Sequence, residues 1–245
     1  MNDQNYQYQD KSIFVQENTV SKKFFANVFL WMFVALAIST ASAFLLVNTP
    51  AILGYLVGES GFTVFGYVAL FAPIGLVILM GAAMHRLSFP ALVGFFILYS
   101  VLTGVMLSFI LLIYTLSSIA ICFAAASATF GVMAVMGYTT DVDLSKFRSI
   151  LMAGVIGLII ISLVNMFIGS DTLDYILGFA GVAIFTALTA YKVQEIKRIG
   201  EGLDEEGNQV SQTDSNKLAL IGALSLYITF INLFLSLLRL FGGRR

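Results

Sequence analysis

Seven apolar runs, each about as long as a bilayer core is thick, divide this chain of 245 residues. They are Phe24–Val47, Phe62–Met84, Phe89–Tyr114, Leu116–Tyr138, Ile150–Ile168, Tyr175–Tyr191 and Leu218–Leu238. A helix of about 20 apolar residues crosses the roughly 30 Å of hydrocarbon in a membrane. Composition agrees: 59% of residues are hydrophobic and only 11% charged, where soluble domains carry about 25% charged. The fold class this implies is all-α, a polytopic membrane bundle of seven transmembrane helices over residues 24–242. Residues 1–23 form a polar tail, expected to be flexible, and residues 243–245 a basic end. The tail has neither the basic start nor the apolar core of a cleavable signal, so the first span is expected to act as its own insertion signal.

The last run is unusual in how its polar residues fall. Ser225, Thr229, Asn232 and Ser236 step by four, three and four, and Arg239 follows three later. That spacing is one face of a helix. A membrane helix turns such a seam toward other helices or water rather than lipid. This helix is therefore expected to pack against or inside a bundle built by the other six.

The connections are mostly short. A brief apolar piece, Ala51–Val57, and a turn, Gly58-Glu59-Ser60-Gly61, join the first two spans. Spans three and four form a tight hairpin. Polar loops are expected at Thr139–Ser149, which carries Asp141, Asp143, Lys146 and Arg148, at Gly169–Asp174, and at Gln194–Asn216. Lys and Arg sit in the tail and in every second loop, which places the N-terminus in the cytoplasm. Seven crossings would leave Arg244 and Arg245 outside, a mild violation; the alternative is a last helix that re-enters and returns. Small residues are frequent in span four (Ala124–Ala128) and span six (Gly178, Ala180, Gly181, Ala187, Ala190) and read as helix packing.

Several function classes fall away. A net charge of −1 offers no basic surface for nucleic acid. Cys122 is the only cysteine and His85 the only histidine. There is no HExxH, GxSxG, P-loop or pair of intramembrane aspartates, and the last span lacks the Lys a retinal protein needs. No enzyme activity, metal or cofactor is expected. The acidic run Asp204-Glu205-Glu206-Gly207-Asn208 lacks EF-hand spacing and reads as a solvated loop.

Two stretches resemble a known family. One is Gly137-Tyr138-Thr139-Thr140, continuing through Asp143-Leu144-Ser145 to Asn165. The other is Thr189-Ala190-Tyr191 with Gln194, Ile196 and Lys197, then Lys217–Leu220, Gly222–Tyr227, Phe230–Phe234 and Leu240-Phe241-Gly242. Together they resemble the transmembrane Bax inhibitor motif family, the Bax inhibitor-1-like proteins, and its bacterial members above all. The resemblance implies seven helices with the last one central and wrapped by six others. It also implies a pH-sensitive calcium leak and, in eukaryotic relatives, suppression of cell death. The implied sensor is a pair of aspartates, one directly after the Ala-Tyr of span six, the other two residues after the Leu-Tyr of span seven. Here those positions hold Lys192 and Thr229.

Each candidate residue has a plain and a sharp reading. Lys192 is either a lysine snorkelling to the headgroups, paired with Glu195 one turn on, or a fixed charge beside Thr229 and Asn232. The two positions differ in depth by roughly 6 Å if the flanking loops are level. Thr229, Asn232, Ser225 and Ser236 are either packing hydrogen bonds or the wall of a path. Arg239 anchors to headgroups or closes the seam. Asn165 could bond Asn232; Tyr191 and Tyr227 support the motif; His85 and Arg86 read as interfacial. Calcium prefers carboxylate oxygens, and this pattern offers neutral ones plus a cation. Two functions remain: an ion (calcium) leak or homeostasis channel with an altered sensor, or a non-conducting scaffold or regulator of other membrane proteins in a stress response. The partners are then the lipid bilayer, calcium or another cation, or membrane proteins such as proteases or respiratory components.

Overall fold

The computed structural model describes residues 3–58, 61–84, 86–205 and 211–243, with side chains described at 21–49, 51–58, 61–84, 86–203 and 211–243. His85, Arg244 and Arg245, the central Glu59-Ser60 of the expected turn and the side chains of the acidic run Asp204–Asn208 lie outside these. The helices are α1 (Asp3–Val47), α2 (Pro50–Leu56), α3 (Val64–Ala83), α4 (Phe89–Ile113), α5 (Leu116–Thr139), α6 (Arg148–Ile168), α7 (Asp171–Glu205) and α8 (Gln212–Phe241). Seven of them are long and apolar enough to cross a membrane; α2 is not. A two-residue antiparallel pair, Val57–Gly58 with Gly61–Phe62, frames the expected turn. Gly61 sits at φ +118°, a backbone state that only glycine adopts without strain.

Helices α7 and α8 start at Asp171 and Gln212, inside stretches read as loop, and two other boundaries differ more. Helix α1 begins at Asp3, within the stretch read as a tail; residues 3–20 contain no Gly or Pro to stop a helix. Helix α7 runs to Glu205, well past Tyr191, through residues read as loop. Their polarity marks the end of a helix standing in water, and the spacing of Lys192 with Glu195 and of Lys197 with Glu201 supports it.

Helix α8 is the central post. About 67% of its spanning window is buried, against 39% in α7, 33% in α4, and less in every other span. Its wall is chiefly α1, α4, α5 and α7, while α3 packs on α4 and α6 on α7. The ring of six that the resemblance implied is thus four helices with two outriders. None of the described residues of α6 is buried; it is partly covered along the side that packs on α7 and exposed elsewhere.

Backbones approach closely where a side chain is missing. A Cβ on Gly137 of α5 would run into the Ala190 carbonyl of α7; one on Gly104 of α4 would meet the Ser39 carbonyl of α1. Gly181 of α7 leaves room for the Ser236 hydroxyl of α8. The small residues of span six therefore do pack helices.

The end of α8 settles its crossing. Gly243 N donates to Ser118 Oγ (2.9 Å), and Thr115 N donates to the Gly243 carbonyl (3.1 Å), beside the α4–α5 link. At the other end Asn27 Nδ2 donates to Asn216 Oδ1 (3.4 Å), near the start of the first span. Helix α8 therefore crosses completely, and the re-entrant alternative is excluded. The Gly137→Val variant is expected to destabilise the bundle by about 1–3 kcal/mol through overpacking, read as a lowered thermal midpoint in detergent. An unchanged midpoint would mean that the α5–α7 contact is looser than it stands here.

Candidate functional site

The seam of α8 is polar but self-contained. Thr229 Oγ1 donates to the Ser225 carbonyl (2.9 Å), Asn232 Nδ2 to the Ile228 carbonyl (2.8 Å), and Ser236 Oγ to the Asn232 carbonyl (2.7 Å). Each side chain thus satisfies its donor one turn back on its own helix. Thr229 is only 2% exposed and Ser236 is buried; Ser225 and Asn232 are partly so. Asn165 does not reach Asn232. Its Oδ1 accepts from Ser170 N (3.0 Å) where α6 stops at Gly169, φ +66°. It is a helix-end cap, and the position of Asn165 at the last turn of α6 is the physical reason.

Three contacts fix the register of α7 against α8: Gly181 with Ser236, Gly178 with Arg239 and Leu240, and Ile196 with Gly222. In these antiparallel helices Thr229 is then level with Leu188 and Thr189, and Lys192 with Ser225 and Leu226. The two sensor-equivalent positions are offset by about one turn, roughly 5 Å. The Lys192 ammonium takes the snorkelling course: Nζ lies 2.7 Å from Glu195 Oε2 and over the Tyr191 ring. The Tyr191 hydroxyl donates to Glu195 Oε1 (3.1 Å). Arg239 is not an isolated headgroup anchor. Its Nε stands 3.7 Å from Asp174 Oδ1 at the start of α7, so it closes the far end of the seam.

One buried polar centre went unread in the sequence. Ser39 Oγ and Tyr227 Oη are 2.6 Å apart, and Ser39 also contacts the Ser100 carbonyl (2.7 Å) and the Ala35 carbonyl (2.9 Å). Tyr99 stacks edge-on against Tyr227, ring centroids 5.7 Å apart. This joins α1, α4 and α8 inside the apolar layer. Tyr227 was legible from its motif; Ser39, one of several small polar residues in its span, had no distinguishing mark.

A second assembly closes the α5–α6 loop onto α7. Gln194 Oε1 accepts from Leu144 N (2.8 Å), and its Nε2 donates to the Val142 carbonyl (2.8 Å). Arg198 Nη2 donates to Asp143 Oδ1 at 2.6 Å, and Ser145 N and Oγ donate to the same oxygen. The Ser145 hydroxyl, then the Arg198 guanidinium, hold the Asp143 carboxyl at about 2, below its ordinary 3.8. Among the described residues no cluster of three or more His, Cys, Asp or Glu could hold a metal.

A family model described as inhibitor of apoptosis-promoting Bax1 matches residues 21–245. The chain belongs to this Bax inhibitor family. It is 38% identical to the inner membrane protein YbhL of Escherichia coli K12 over 94% of this chain and 96% of that one. A protein of Borreliella burgdorferi is 40% identical, with the same coverage. A membrane protein of Streptococcus pyogenes serotype M6 is 32% identical over 95% of this chain and 98% of its own. Like them in length, this Bax inhibitor family member is a multi-pass membrane protein. Its Gly137–Ser145 and Thr189–Lys197 motifs meet as the docked loop and its α7 clamp. Its Gly222–Phe234 motif is the buried post.

Two outcomes are expected. Tyr227→Phe removes the hydroxyl that meets Ser39 and should cost about 1 kcal/mol, measured by unfolding in detergent; no loss would show that Ser39 finds an equal partner. Because the folded carboxyl of Asp143 titrates below its unfolded value, the clamp's contribution is full above about pH 4 and fades as pH falls through 2. Asp143→Asn should therefore lower the thermal midpoint by the same amount at pH 6 and pH 8, and by less below pH 4. A difference that grows between pH 8 and pH 6 would assign the coupling to another group.

Proposed function

We propose that this protein is a non-conducting member of the Bax inhibitor family, a membrane-embedded regulator of other membrane proteins. The observation that carries this reading is Thr229. It stands where the resemblance puts a titrating aspartate, it is 2% exposed, and its hydroxyl is committed to the Ser225 carbonyl of its own helix. A group with no proton to lose near neutral pH cannot serve as a pH sensor. The other sensor-equivalent position, Lys192, offers no carboxylate, and its ammonium engages that of Glu195, which leaves it no oxygen ligand for calcium. Helix α6, with no buried residue among those described, offers a lateral face for lipid or a neighbouring protein. The positive-inside rule assigns the face carrying Lys146, Arg148 and Lys217 to the cytoplasm. The name of the E. coli relative supports the inner membrane, and a stress response is the setting the family resemblance suggests.

One observation favours the rival reading, a leak with an altered sensor. Thr186 Oγ1 on α7 is buried with no hydrogen-bond partner, a polar spot that a water would satisfy. The readings separate in liposomes loaded with a calcium dye. At pH 6 and pH 8 the native chain is expected to match protein-free liposomes, while Lys192→Asp combined with Thr229→Asp restores the carboxylates and acts as the comparison. A calcium flux from the native chain that rises or falls with pH overturns the non-conducting reading.

A further inference from the structure

Between the 3-10 turn Leu144–Phe147, the start of α6 and α7 lies a cleft of about 290 Å³. It stands outside the α8 seam, and its chemistry is independent of conduction. Its polar walls come from Arg148, Arg198, Tyr191 and Glu195, with Ile199 apolar. Arg148 is exposed; its backbone N–H donates to the Ser145 carbonyl, but its guanidinium makes no hydrogen bond or ion pair with any described residue. Arg198 commits Nη2 to Asp143, and the rest of its planar fork remains to donate. The one acid in the wall is silenced: Glu195 Oε2 is held by Lys192 at 2.7 Å and Oε1 by the Tyr191 hydroxyl at 3.1 Å. With Lys192 and Asp143 counted, three positive groups face two negative ones, and the uncancelled charge is the Arg148 guanidinium.

Depth supplies the ligand class. Arg148 is the first residue of α6, two residues before the apolar run starts at Ile150, and Arg198 stands about 10 Å along α7 beyond the end of its apolar run at Tyr191. The cleft is therefore at headgroup level, beside a helix that faces lipid. The anion abundant at that level is phosphate, and the guanidinium fork fits phosphate oxygens in pairs. We propose that this cleft binds a phosphate group between Arg148 and Arg198, supplied either by an anionic phospholipid headgroup or as the free ion.

The test uses the full chain in non-ionic detergent, titrated calorimetrically with short-chain phosphatidylglycerol, short-chain phosphatidylcholine and inorganic phosphate. Wild type is expected to bind phosphatidylglycerol or inorganic phosphate more tightly than phosphatidylcholine. Arg148→Gln should weaken that binding about tenfold. Lys146→Gln, a loss of charge on the same loop but outside the cleft wall, should change it less than about twofold. Competition by inorganic phosphate assigns the free ion as a source; binding of phosphatidylglycerol without it assigns the lipid. Absence of binding by both anions overturns the proposal, as does an equal loss in Arg148→Gln and Lys146→Gln, which would mean diffuse attraction. A thermal midpoint checks that Arg148→Gln is folded. If it is not, Arg148→Lys decides: it keeps the charge and loses the fork, and an affinity equal to wild type overturns the site.

Discussion

A polar group in hydrocarbon has no water to turn to, and helix α8 carries four of them through the middle of a span. Three of them, Thr229, Asn232 and Ser236, solve the problem locally by donating to a carbonyl one turn back. That leaves a narrow polar stripe on an otherwise apolar cylinder. Facing lipid, the stripe would be costly; walled by α1, α4, α5 and α7 it is not. The rest of the bundle follows from this. The four wall helices need close contact with the post, and α3 and α6 are left to cover the wall from outside.

Close contact has its own requirement. Lipid tails are as apolar as leucine, so no hydrophobic gain drives one membrane helix onto another. Packing and hydrogen bonds must do so. Gly104, Gly137 and Gly181 remove the side chains that would hold the backbones apart. The Ser39–Tyr227 contact then ties α1 to the post, with the Ser100 carbonyl of α4 completing the set. Glycine supplies the room and the hydroxyls supply the direction.

The charges are arranged around this neutral interior rather than within it. Arg239 meets Asp174 at one face; Lys192 meets Glu195 and Arg198 meets Asp143 toward the other. Where the resemblance implies a titrating pair beside the post, this chain has its ion pairs at the two ends of the bundle, two of them on the side of the α5–α6 loop. There Gln194 and Arg198 hold the α5–α6 loop to α7, and Arg148 is left with its charge unspent. This distribution is the ground for the regulatory role and the anion site proposed above.

The sequence by itself determined seven spans, the polar seam of α8 and the alternation of basic loops. Each is a periodic or compositional signal that the bilayer imposes on any chain crossing it. The family resemblance added the expectation that Lys192 and Thr229 stand where relatives carry carboxylates. The sequence did not determine how far α7 extends, because an exposed helix end and a polar loop share one composition. Nor did it find the partners of Asn165, Ser39 and Arg239, since a hydrogen bond between residues far apart in the chain leaves no trace in spacing. Only the tertiary structure decided that the seam is closed upon itself and that α8 crosses completely. The first depends on rotamers that turn Thr229, Asn232 and Ser236 back onto their own helix, and the second on how the helices pack, where Gly104 and Gly137 let backbones touch and Gly181 admits the Ser236 side chain.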